Sequence, residues 1–142
     1  MNKNLPLEIL LIEDNDQDAE LTIRAMREYN MCNKIIRLLD GQEAMDYFFS
    51  DKSNSNEIPR LILLDIKLPG ISGLEVLRNL KTHETTKTIP VIILTSSTEE
   101  KDIQTCYHLG VNSYISKPVE FESFQNMMKT LGMYWLLMNR AP

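Results

Sequence analysis

Acidic, hydroxyl and ammonium side chains stand at or just after the ends of four short apolar runs in this chain. Glu13 and Asp14 follow Glu8 to Ile12, Asp65 follows Leu61 to Leu64, Thr95 closes Val91 to Leu94, and Lys117-Pro118 follows Ser113 to Ser116. Brought together, the three carboxylates repel one another, and the simplest stabilising partner is a hard divalent cation. Mg²⁺ takes oxygen ligands in octahedral geometry and keeps several waters, with only one or two direct carboxylates. Asp14 and Asp65 are the best direct ligands, and Glu13 acts directly or through water. One of these carboxylates is also a candidate nucleophile, because aspartate attack on phosphorus gives an acyl phosphate. The incoming phosphoryl group needs counter-charge, which Mg²⁺ and Lys117 would supply, while the Thr95 hydroxyl would bond a phosphoryl oxygen. Taken singly, each residue has a bland reading: a helix-capping acid, a strand-ending Thr, a Lys in a solvated turn. The functional reading needs all of them in one crevice, and that depends on the fold.

The apolar runs are too short for helices and rich in strand formers. Between them lie amphipathic segments: Asp16 to Tyr29, Gly41 to Phe49, Ser72 to Thr82, Ser97 to about Leu109, and Phe121 to Met138, with Lys34 to Leu38 as a further strand. Ser72 with Glu75, and Ser97 with Glu100, form capping-box patterns at two helix starts. Five strands therefore alternate with five helices. Strands that are continuously apolar, rather than alternating, imply that both sheet faces are covered. Short right-handed crossovers then favour a doubly wound five-stranded parallel α/β sheet of flavodoxin type, order 2-1-3-4-5, with helices on both faces. In such a sheet ligands bind beyond the carboxyl ends of the strands, where the five polar groups stand.

Composition narrows the class of function. The 142 residues suit one domain over residues 1–142, with an extended apolar C-terminal helix over about 121–138. A net charge of −5 argues against nucleic acid or an anionic membrane as direct partner. No apolar run approaches the roughly 20 residues needed to span a bilayer. The N-terminus lacks the pattern of a secretory leader, and Cys32 and Cys106 lack metal-ligand spacing, so a cytoplasmic protein with reduced thiols is expected. His83 and His108 have no second ligand nearby in sequence and read as surface histidines.

The chain resembles response-regulator receiver domains from Ile9 to about Leu131. The matching strings are Leu11-Ile12-Glu13-Asp14-Asn15, Leu63-Leu64-Asp65-Ile66-Lys67-Leu68-Pro69-Gly70-Ile71-Ser72-Gly73, Ile93-Leu94-Thr95-Ser96 and Tyr114-Ile115-Ser116-Lys117-Pro118. The resemblance implies a stand-alone regulator that accepts a phosphoryl group from a histidine kinase on Asp65. It implies Mg²⁺ on Asp14, Asp65 and the backbone carbonyl of Lys67, with Glu13 assisting. It implies that Thr95 and Lys117 hold the phosphoryl group, that Tyr114 is an aromatic switch coupled to Thr95, and that the Lys117-Pro118 bond is cis. Ser96 replaces the family's usual small residue, often Ala, and Glu13 its commoner Asp; neither removes a required group.

Phe121, Phe124, Met128, Leu131, Trp135 and Met138 form one apolar stripe on the last helix, but Tyr134 and Leu137 add more apolar surface than one stripe buries. Trp135, Tyr134, Met138 and Leu137 are therefore expected to form a homodimer or effector contact, the competing reading being a terminal segment folded back on its own domain. The face of the fourth helix, fifth strand and last helix is the expected switching surface. The long loop before the third strand and the aromatic-Trp-Leu ending resemble the small regulators of cyanobacterial phytochromes. That points to a sensor histidine kinase, phytochromes included, as phosphodonor. Since the chain ends at Pro142, directly after this helix, the expected output is protein contact or phosphate relay, with no DNA-binding domain. A flavin carrier of the same fold would need a Ser/Thr/Gly-rich loop where Glu13-Asp14-Asn15-Asp16 stands, and an aspartate-nucleophile phosphatase a second Asp where Lys67 stands. A receiver that no longer takes phosphate is the remaining alternative.

Overall fold

A computed structural model describes residues 9–28, 34–51, 56–96 and 100–130. Five strands, β1 (Ile9–Ile12), β2 (Ile35–Leu38), β3 (Leu61–Asp65), β4 (Val91–Thr95) and β5 (Ser113–Ser116), alternate with five helices, α1 (Asp16–Glu28), α2 (Gly41–Phe49), α3 (Gly73–Thr82), α4 (Glu100–His108) and α5 (Phe121–Thr130). The strands form one sheet in the order β2-β1-β3-β4-β5, and every pairing is parallel. This is the doubly wound, flavodoxin-like arrangement expected from the alternation of apolar runs and amphipathic segments.

The side-chain period of two divides the strands between two cores. Ile9, Leu11, Leu61, Leu63, Ile92 and Leu94 face one way and pack with Ala19 and Met26 of α1 and Phe124 of α5. Leu10, Ile12, Ile62, Leu64, Val91 and Ile93 face the other way, against Ala44 and Phe48 of α2, Val76, Leu77 and Leu80 of α3, and Cys106 of α4. Each fully buried Leu or Ile contributes about 1.5–3 kcal/mol, so the two cores can offset the cost of enclosing a charged cluster at the sheet's edge.

Local signals set the helix starts. The Ser72 side chain accepts from the Glu75 amide as N-cap of α3, while the Glu75 carboxylate pairs with Arg78 instead of closing the capping box. Asp40 caps α2 in the same way, with the Glu43 carboxylate accepting from the Leu39 amide. Asp65 is the last residue of β3 rather than the first beyond it, and Thr95 closes β4 as expected. Ser97 and Cys32 lie outside the described residues, as do Tyr134, Trp135, Leu137 and Met138. Among the described residues, no helix is long and apolar enough to cross a membrane.

The segment from Asp65 to Gly73 turns the chain from β3 into α3 while keeping it against the site. Gly70 takes a φ of 70°, in the left-handed region. Gly73 donates its amide to the Ile66 carbonyl at 3.1 Å, so close that an added Cβ would lie 2.3 Å from the Asp65 carbonyl oxygen and 2.6 Å from Ile66 Cα. Both obstacles are backbone and have no rotamer through which to escape. Gly73→Ala should cost about 1–3 kcal/mol, the usual cost of overpacking. Thermal unfolding should then show a fall in Tm of roughly 3–10 °C; an unchanged Tm would mean that α3 can move off β3 freely.

Candidate functional site

Parallel pairing aligns the strand ends. Ile12 stands opposite Leu64, so Glu13 and Asp65, the next residues, leave β1 and β3 side by side. Asp65 pairs with Leu94 and Thr95 with Ser116, which places Thr95 and Lys117 on the same rim. β1 sits between β2 and β3, so chain connections leave it in opposite directions and open a crevice at its carboxyl end.

Carboxylate oxygens of Glu13, Asp14 and Asp65 all lie within 4.8 Å of one another. Glu13 and Asp65 are buried and Asp14 is exposed. An all-oxygen donor set with one face open to solvent suits a hard divalent cation that keeps part of its water shell. The carboxylates are also met by an ammonium. Lys117 Nζ donates to Glu13 Oε1 at 3.1 Å and Oε2 at 3.3 Å, to Asp65 Oδ2 at 3.2 Å, and to Asp18 Oδ2 at 2.8 Å. A Lys ammonium has three donors, and these three carboxylates engage all of them. Asp65 Oδ1 accepts from the Lys67 amide at 3.1 Å, and Glu13 Oε2 from the Asn15 amide at 3.2 Å.

The other expected residues fall around this centre. Thr95 is buried, and its carbonyl accepts from the Lys117 amide at 2.8 Å. The Lys117-Pro118 peptide bond is cis. Tyr114 is exposed on β5, and its ring meets Tyr107 of α4 edge-on, with centroids 6.3 Å apart. The Lys67 side chain is exposed, and only its backbone meets the site. His83 and His108 are exposed and apart from it.

Two residues of the site were not anticipated. Asp18, in the first turn of α1, makes the shortest contact to Lys117; an acid there is explained well enough by the helix dipole, so nothing in the sequence set it apart. Arg37 left a clearer signal, a charge inside the otherwise apolar run of β2. Its Nε donates to the Glu13 carbonyl at 3.0 Å, and its guanidinium pairs with Asp16 at 2.9 Å, pinning the loop that carries the acidic pair.

Burial raises the pKa of Glu13 from 4.5 to about 7, helped by a hydrogen bond and repulsion from Asp65 and opposed by Lys117. For Lys117 burial acts downward, but hydrogen bonds to Asp18 and Glu13 and the charge of Asp65 outweigh it and hold the ammonium above its ordinary value. Lys117 therefore stays charged near neutral pH.

The sign of the resulting pH dependence follows from proton counts. Without metal, folded Glu13 keeps its proton between its ordinary value of 4.5 and about 7, where the unfolded chain loses it. Its contribution is therefore fully present below this window and falls as pH rises through it, by at most about 3 kcal/mol. Urea unfolding in chelator should show the stability of wild type relative to Glu13→Gln falling from about pH 5 to pH 7 and levelling above. A difference independent of pH would contradict the raised value.

Comparison with known proteins agrees with this geometry. Residues 9–129 match the response regulator receiver domain family. The chain is 39% identical over 137 residues to the "Probable methanogenesis regulatory protein FilR2" of Methanothrix harundinacea, covering 96% of this chain and 88% of that protein. It is 35% identical over 134 residues to response regulator Rcp1 of Synechocystis sp., covering 94% and 91%. The bacteriophytochrome response regulator AtBRR superposes with a TM-score of 0.80 at 42% identity, covering 95% of this chain and 99% of that one. A crystal structure of Rcp1 in its Mn²⁺-bound form superposes with a TM-score of 0.78 at 33% identity, covering 96% and 99%. With the five-stranded sheet, the acidic group at the ends of β1 and β3 and the family match over almost all described residues, the chain belongs to the response regulator receiver domains, with the acidic divalent-metal site typical of them.

Proposed function

We propose that this receiver accepts a phosphoryl group on Asp65 from a sensor histidine kinase, in a Mg²⁺-dependent reaction, and thereby switches its contacts with other proteins. The observation that carries the reading is the setting of Asp65: a buried carboxylate with Lys117 on one oxygen, a backbone amide on the other, and two further acids within reach. Asp14, Asp65 and the Lys67 carbonyl would hold the cation, with Glu13 direct or through water. Bound Mg²⁺ would supply positive charge opposite the phosphoryl oxygens.

The chain's own groups do the rest. An Asp65 oxygen attacks phosphorus, and the new O–P bond forms as the P–N bond of the donor phosphohistidine breaks, its electron pair returning to the imidazole. Lys117 turns its Asp65 donor onto a phosphoryl oxygen, and the Thr95 hydroxyl donates to another. Tyr114, two residues before Ser116 on β5, would then change its packing and alter the face of α4, β5 and α5, through which a homodimer or effector contact is expected. The C-terminal residues Tyr134, Trp135, Leu137 and Met138 would extend that contact.

The names of AtBRR and of the phosphorylated cyanobacterial phytochrome regulator RcpA support a phytochrome-type kinase as donor.

Intact-mass measurement after incubation with acetyl phosphate tests the chemistry. Wild type should gain one phosphoryl group only with Mg²⁺, and Asp65→Asn should gain none. Folded wild type that binds Mg²⁺ and stays unmodified by acetyl phosphate and by histidine kinases would overturn the reading; turnover of an external phosphomonoester would favour a phosphatase instead.

A further inference from the structure

Asp18 has no part in the chemistry just described, yet it holds the central ammonium most closely. Its Oδ2 is 2.8 Å from Lys117 Nζ, against 3.1 Å for Glu13 and 3.2 Å for Asp65. The Lys117 side chain is 9% exposed, so these contacts replace its water. Asp18 is itself fixed. Its amide donates to Asn15 Oδ1 at 2.9 Å, and its carbonyl accepts the hydroxyl of the buried Thr22 at 2.9 Å. Its carboxylate is thus presented to Lys117 from the first turn of α1.

The oxygens that Lys117 holds differ in kind. Glu13 and Asp65 belong to the metal-capable group with Asp14, whereas Asp18 does not. A divalent cation and an ammonium compete for the same carboxylate lone pairs and repel each other. When the cation enters, Lys117 must yield at Glu13 and Asp65. If those were its only partners, a charged, nearly buried side chain would be left with its donors free and would swing to water. Asp18 prevents this because the cation does not claim it.

We propose that Asp18 is a positioning residue, the anchor that keeps Lys117 beside Asp65 when a divalent cation takes the other carboxylates. The proposal rests on the phosphoacceptor reading above. Asp18 touches neither the phosphoryl group nor the cation; it acts through Lys117, holding the ammonium where the phosphoryl group will arrive. The other acid of that turn, Asp16, also complements the helix dipole, but its ion pair is with Arg37.

The test measures Lys117 directly. The full chain is acetylated with an N-hydroxysuccinimide ester with and without saturating Mg²⁺, and the rate at each lysine is read by peptide mass spectrometry. Calorimetry reports Mg²⁺ binding separately. In wild type Lys117 should react slowly in both conditions. In Asp18→Ala, Mg²⁺ should raise its rate severalfold, with Mg²⁺ affinity retained and the rates at Lys67 and Lys87 unchanged. Asp18→Glu should restore protection. The limiting rate of phosphorylation by acetyl phosphate should fall in Asp18→Ala and recover in Asp18→Glu. Equal protection of Lys117 in Mg²⁺-loaded wild type and Asp18→Ala, or equal release in both, would overturn the proposal while leaving the site reading intact. No Mg²⁺ binding by wild type would sink both.

Discussion

One buried ammonium among three carboxylates is the constraint on which the rest of the structure depends. Lys117 reaches Glu13, Asp18 and Asp65 across 104, 99 and 52 residues of sequence. No local structure can make such contacts. They require β1, β3 and β5 to end on one rim, and that in turn requires the two apolar cores that cover the sheet. The cluster is negative in sum even with Lys117 in place. Glu13 answers by favouring its proton, and the group as a whole favours a second cation. Breaking one member of a buried charged pair commonly costs about 3–5 kcal/mol, more than most surface changes, so the network also ties fold stability to the state of the site.

Much of this was legible in the sequence, for physical reasons that can be named residue by residue. Parallel strands place their carboxyl ends together, so Glu13, Asp14, Asp65, Thr95 and Lys117 could be assigned to one crevice before any coordinates. Pro69, Gly70 and Gly73 stood in the sequence only as part of the string shared with receivers; the close approach of Gly73 to the Asp65 carbonyl gives that glycine its physical reason. What could not be read was the pairing inside the crevice. Lys117 was expected as counter-charge for a phosphoryl group; that it also holds Glu13, Asp18 and Asp65 could not be read from their spacing. Asp18 was invisible because an acid in a helix's first turn needs no special explanation. Arg37 could have been singled out, since a charge within an apolar strand must find partners, and it finds the Glu13 carbonyl and Asp16.

The site also has a physical connection to the surface. The Lys117 amide is bonded to the Thr95 carbonyl, Thr95 pairs with Ser116, and Tyr114 lies two residues back on the same strand, against Tyr107 of α4. The ends of β4 and β5 thus connect Lys117 to two exposed aromatic rings, Tyr114 on β5 and Tyr107 on α4. A partner able to read the state of Asp65 needs only to distinguish two arrangements of this edge.

The central claim is that Lys117 stands in for a divalent cation on Glu13 and Asp65, and gives way when the cation binds. The most direct measurement is anomalous diffraction from crystals of the protein soaked in Mn²⁺. The account predicts one strong peak among Glu13, Asp14 and Asp65, with Lys117 Nζ withdrawn from Glu13 and Asp65. A peak elsewhere, or Lys117 still holding both carboxylates with the metal in place, would contradict it.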